Sequence, residues 1–233
     1  MIDRYAIYSV PEEVSAHFGI HVDEGLKSQY NAAPTKRLPV IANAAKDGLS
    51  YFYWGIIAKW SNKKSISSKW IHAKKEDILK KSTLKTGLEQ RRCIIPANGL
   101  YLWKTVGKRS KRPYFFKLND RSLFGFAGIW EDYDDLDGKM LHTFKIITTE
   151  NKLGLPEFGD QMPAILTKTD EVEWLKPNQS IETLLQMVKP LDSISNIHFH
   201  PVAPFITKID NDFPEMINIQ PSIDQKGNYT LFE

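Results

Sequence analysis

The groups in this 233-residue chain that could transfer protons, bind metals or attack electrophiles are few in kind: six histidines, one cysteine, and the carboxylates. His17, His21, His142, His198 and His200 do not fall at metal-site spacings with carboxylates. His198 and His200 would share one face of a strand, but no third ligand accompanies them. Asp132, Asp134, Asp135 and Asp137 before Gly138 superficially match a calcium loop. Their ligand order is wrong and the twelfth place lacks a glutamate, so a solvated acidic hairpin is expected. Cys93 sits between Arg92 and Ile94 in an apolar run, where a thiol packs rather than reacts. A single cysteine excludes an internal disulfide and a cysteine-based zinc site. No metal and no small-molecule cofactor is therefore expected. What remains is a basic stretch from Lys59 to Lys81 with Trp60 and Trp70 interleaved. A basic stretch of this kind suits a polyanion-facing surface. The plain alternative is a solvated basic face.

The elements that would position these groups are short. Residues 10–19 place Val14 and Phe18 on one helical face. Leu38–Ala42 and Tyr51–Ile57 read as strands with a turn at Lys46–Gly48, and Glu76–Leu88 as a weak helix. Arg92–Ile95, a turn at Pro96–Gly99, and Leu100–Trp103 read as strand, turn, strand. Gly107–Arg112 is a basic hairpin tip before a strand over Pro113–Leu118. Leu123–Trp130 and Met140–Thr148 are strands across an acidic loop. A capped helix starts near Asp170, and Ser180–Lys189 puts Ile181, Leu184, Leu185 and Val188 on one face. Ile197–Val202 and Ile217–Ile219 close the chain as strands. Many short strands without strand–helix alternation predict one α+β domain over residues 1–233, its sheet mostly antiparallel and barrel-like, with a few short helices. No apolar run is long enough to span a membrane, and the N-terminus lacks a signal pattern, which implies a cytoplasmic protein. Residues 1–117 hold 22 Lys and Arg against 9 Asp and Glu, while 118–233 hold 9 against 19. That asymmetry predicts one polyanion-facing surface, unless the fold interleaves the two halves.

Arg91–Lys104, RRCIIPANGLYLWK, is the most specific motif. It resembles the signature of the SRAP family (SOS response-associated peptidases, the abasic-site-sensing proteins), which reads close to R-R-C-[LI]-I-P-A-[DN]-G-F-[YF]-E-W. Further matches follow in order. Arg4-Tyr5 is similar to C-G-R-[FY], and Tyr30-Asn31-Ala32-Ala33-Pro34 to Y-N-x-A-P. Trp54-Gly55 with Trp60 resembles W-G-[LF]-x-P-x-W, and Ile71-His72-Ala73-Lys74 resembles I-N-A-R. Phe126–Trp130 matches F-A-G-[LI]-W, Asp160–Pro163 resembles H-x-R-M-P, and His200-Pro201-Val202 matches H-P-V.

The resemblance implies a chemistry. An N-terminal cysteine attacks the ring-opened aldehyde of an abasic site with thiol and α-amine together, giving a thiazolidine crosslink, while a glutamate and a histidine move protons. This chain has Ile2 at the cysteine position, Leu102 at the glutamate position and Gly159 at the histidine position. None of the three carries a reactive group, so the crosslinking chemistry is expected to be lost and no catalytic residue is intact. DNA binding is a separate matter. The resemblance places DNA contacts at Arg4, Asn31, Trp60, His72, Lys74 and Gln161, with His72, Lys74 and Gln161 departing from the family residue. The expected function is non-covalent binding of single-stranded or abasic DNA. The alternatives are an interaction module that reuses the fold without DNA, and weak imine-type lyase activity at Met1 or a lysine. Oligomeric state is left open.

Overall fold

Strand β10 (Met140–Glu150) has four partners, and the architecture follows from them. It runs antiparallel to β9 (Phe124–Asp134) and parallel to β4 (Ala45–Trp54). Beyond β4 it pairs parallel with β5 (His72–Lys74), and beyond β9 antiparallel with β11 (Gln161–Pro163). The computed structural model describes residues 2–55, 71–106, 110–134, 140–191, 193–221, 223–226 and 228. In it β4 pairs with β3 (Arg37–Ala42), β3 with β6 (Arg92–Ala97), and β6 with β9. Since β9 returns to β10, the strands β10, β4, β3, β6 and β9 close a five-stranded barrel. A second, open antiparallel sheet has the order β12 (Ile197–Pro201), β8 (Ser110–Leu118), β7 (Gly99–Val106), β1 (Arg4–Ile7), β2 (Gln29–Ala32). The fold is α+β and its sheets are mostly antiparallel, as expected.

Asn98 joins the two sheets. The motif around it is strand, turn, strand, but β6 and β7 do not pair with each other: β6 belongs to the barrel and β7 to the open sheet. The Asn98 carboxamide oxygen accepts from the backbone N–H of Tyr8 (2.7 Å) and Ser9 (3.0 Å), and its nitrogen donates to Ser9 Oγ and the Ser122 carbonyl. Gly99 follows because a Cβ there would lie 2.2 Å from the Phe115 ring and 2.7 Å from the Phe116 carbonyl.

Helices cover the barrel's outside. α1 (Pro11–Phe18) begins with proline and two glutamates and ends on left-handed Gly19. α4 (Lys168–Trp174) and α5 (Ile181–Met187) start on the Thr167 and Ser180 side chains, which accept from Asp170 and Thr183 N–H. The expected helix over Glu76–Leu88 is two, α2 (Lys75–Ile78) and α3 (Ser82–Gln90), broken at Leu79–Lys81. One apolar cluster fills the barrel and the space between the sheets, with Tyr5, Trp54, Cys93, Phe126 and Phe144. A second, with Trp174 and Leu184, lies under the helices. A third, with Tyr101, Val202 and Met216, is closed by the C-terminal segment.

Three local expectations are corrected. The β3–β4 turn falls at Asn43-Ala44, since Ala42 pairs with Ala45, and Lys46–Gly48 is strand. Asn43 decides this: its side chain accepts from Arg92 N–H and Trp130 Nε1 and donates to the Gln90 carbonyl. Ile217 ends a 3-10 turn from Pro214, not a strand. Finally, both sheets draw strands from either side of residue 117, so the basic and acidic halves interleave. Part of the Lys59–Lys81 stretch, with Trp60, and the tip of the Gly107–Arg112 hairpin lie outside the described residues.

Candidate nucleic-acid interface

β5, β10 and β11 lie side by side and bring three of the expected DNA contacts together. His72 is level with Ile146 and Lys74 with Thr148, while Gln161 is level with Glu150. The Thr148 hydroxyl donates to Gln161 Oε1 at 2.9 Å, which orients that amide. His72 is 6% exposed, its ring edge-on to Trp54 at 6.4 Å. Neither ring nitrogen makes a hydrogen bond of normal geometry among the described residues, but the Ile2 backbone lies close enough to favour the charged ring against burial. Burial, above all, lowers its pKa to about 4, so the imidazole is neutral at pH 7. The Thr149 hydroxyl nearby is also buried and unpartnered.

Arg4 approaches from the open sheet, where β1 pairs with β7 at Tyr101. Its side chain is 12% exposed, yet the guanidinium makes a single described hydrogen bond, Nη1 to the Asp3 carbonyl at 2.6 Å. Its Nε is buried without a partner, and burial lowers its pKa. The Asp3 carboxylate is 3.8 Å away. Asn31 is placed differently. It is fully buried, and its Nδ2 donates to the carbonyls of Lys208 and Asn211. Its amide nitrogen thus ties β2 to the C-terminal segment, while Asp212 accepts from Tyr30 and Asn31 N–H. Trp60 lies outside the described residues.

The three positions that the resemblance matches to the family's reactive groups carry no polar side chain. Ile2 and Leu102 are fully buried in one cluster with Ile71, Tyr114, Phe158 and Met162. Gly159 has φ +100°, a backbone region that L side chains rarely adopt, and its carbonyl is held by Asn151 Nδ2 at 2.7 Å. Cys93 is fully buried, and burial pushes its thiol far above the ordinary range. Among the described residues no group of three His, Cys, Asp or Glu could hold a metal ion. Among the described residues no helix is long and apolar enough to cross a membrane. Asp3 is a candidate site residue that motif reading passed over, although a carboxylate directly before the arginine was a signal. Thr148-Thr149 resembles the family's T-T-x-A, but only burial shows that the Thr149 hydroxyl is unpartnered.

The family model for SOS response associated peptidase (SRAP) matches residues 1–209, and the chain belongs to that family. It is 32% identical over 222 residues to abasic site processing protein YoqW of Bacillus subtilis (strain 168), spanning 93% of this chain and 99% of that one. It is 26% identical to abasic site processing protein HMCES of Rattus norvegicus over 81% of this chain and 64% of the rat protein. A crystal structure of a Bacteroides thetaiotaomicron protein superimposes with TM-score 0.77 at 25% identity, covering 93% of this chain and 99% of that one.

Proposed function

We propose that this chain holds single-stranded or abasic DNA without bonding to it covalently. The carrying observation is Arg4: a guanidinium that is largely out of water but has one backbone acceptor keeps several N–H donors for an anion. Lys74 and Gln161 supply further polar groups on β5 and β11, which flank β10, and the relatives' names as abasic site processing proteins favour DNA as that anion. Ile2, Leu102 and Gly159 offer no thiol, carboxylate or imidazole for a crosslink. A cytoplasmic location goes with this reading.

The test is affinity for a single-stranded oligonucleotide, intact or abasic, as a function of salt. Each phosphate neutralised contributes about −0.7 to the log–log slope, so a steep slope is expected. Arg4→Ala and Lys74→Ala should each flatten it and weaken binding about tenfold. A heat-stable adduct with the abasic strand on a denaturing gel, or binding indifferent to both substitutions, would overturn the reading.

A further inference from the structure

Asp3 lies on the arginine that would take the phosphate. Its side chain is 43% exposed against 12% for Arg4, so the carboxylate is the outer of the two. It is held in place on a second side, because Oδ1 accepts from Trp103 Nε1 at 3.3 Å. Its Oδ2 stands 3.8 Å from Arg4 Nη1, close enough to oppose the charge and too far for a hydrogen bond. The guanidinium is thus electrostatically countered by the carboxylate while only one of its donors is used, on the Asp3 carbonyl, and Arg4 Nε keeps no partner. A phosphate oxygen could satisfy those donors, but it would have to approach a fixed negative charge.

We propose that Asp3 is a built-in electrostatic competitor for the DNA phosphate at Arg4, and that it sets the affinity and salt tolerance of this end of the interface. The partner is the backbone of single-stranded DNA, and the proposal rests on the reading of Arg4 as a phosphate contact. Removing the carboxylate's charge should strengthen DNA binding, which is the opposite of what loss of a structural ion pair would do. Such a pair across a partly buried rim is screened by salt, so the gain should be largest at low ionic strength.

Asp3→Asn separates charge from shape, since the amide oxygen can still accept from Trp103 Nε1. Binding of a fluorescent single-stranded oligonucleotide would be measured across a salt series for wild type, Asp3→Asn, Arg4→Ala and the double variant. Asp3→Asn is expected to tighten binding about threefold to tenfold at low salt. It should also steepen the log–log slope by about 0.7, one further phosphate. The gain should vanish in the double variant. If Arg4→Ala weakens binding but Asp3→Asn brings no gain, the competitor role is overturned and the phosphate contact stands. If Arg4→Ala has no effect, both fall.

Discussion

Two arginines show how the same side chain is put to different uses. Arg92 is 1% exposed, and its guanidinium donates to the carbonyls of Leu88, Glu89, Trp174 and Lys176. It caps the C-terminal ends of α3 and α4 together, and its donors are engaged by the fold. Arg4, nearly as buried, has one such acceptor. His72 is a comparable case among titratable groups, and it makes a pH prediction. Its folded pKa of about 4 lies below the ordinary 6.5, so the unfolded chain takes up the proton first as pH falls. The stability it contributes is complete above the ordinary value and drains as pH falls toward the folded one. Full titration corresponds to about 3 kcal/mol. Urea unfolding at pH 7.5 and at pH 4 should therefore show wild type losing more stability than His72→Asn by an amount of that order. Equal losses would mean that the ring has a proton-accepting partner in the folded protein.

At the level of elements, the β6–β7 crossing carries more of the fold than either strand. Asn98 satisfies two buried backbone N–H groups and two acceptors across the sheet junction. Asn98→Ala leaves these unpaired and should cost about 2–4 kcal/mol, read as a lower denaturant midpoint with an unchanged m-value. Asn98→Asp should cost less, because the acceptor for Tyr8 and Ser9 survives. The longer strands were legible, since apolar and β-prone runs mark β3, β8, β9, β10 and β12, but the short β1, β2, β5 and β11 were not, and Tyr30–Ala32 reads locally as loop although it lies in β2. Nor was the pairing of strands: that β6 leaves β7 for β9 depends on residues about thirty positions away. Asp47-Gly48 is a strong local turn signal, and it lost to Asn43, whose partners Gln90, Arg92 and Trp130 are distant in sequence. Local chemistry identified the pieces, and non-local hydrogen bonds chose where the chain bends.

Across the whole molecule, the candidate site draws on β1, β5, β10 and β11, which no local window contains. The candidate site residues could be named from motifs, but their roles separated only in three dimensions, with the Asn31 amide nitrogen tied to the C-terminal segment, its Oδ1 without a partner, and Arg4 left with spare donors. The positions matched by resemblance to the family's reactive groups likewise come from three separate segments. Ile2→Cys alone is accordingly expected to give no heat-stable adduct with an abasic oligonucleotide. The new thiol would sit in a fully buried apolar cluster, where burial disfavours the thiolate, and Leu102 and Gly159 would still supply no proton transfer. Adduct formation by that variant would show that the surrounding site is still competent and that one residue separates it from the family reaction.

The interleaving of the two halves also governs how the chain is made. β4 is synthesised early, but its barrel partner β10 ends at Glu150, and the open sheet waits for β12 at Ile197–Pro201. On the ribosome, neither sheet can finish until most of the polypeptide has emerged, so the apolar faces of β1, β3 and β4 stay uncovered through much of translation. Nascent chains stalled before β10 should bind general chaperones and resist folding, whereas chains released after Pro201 carry every strand of the two described sheets.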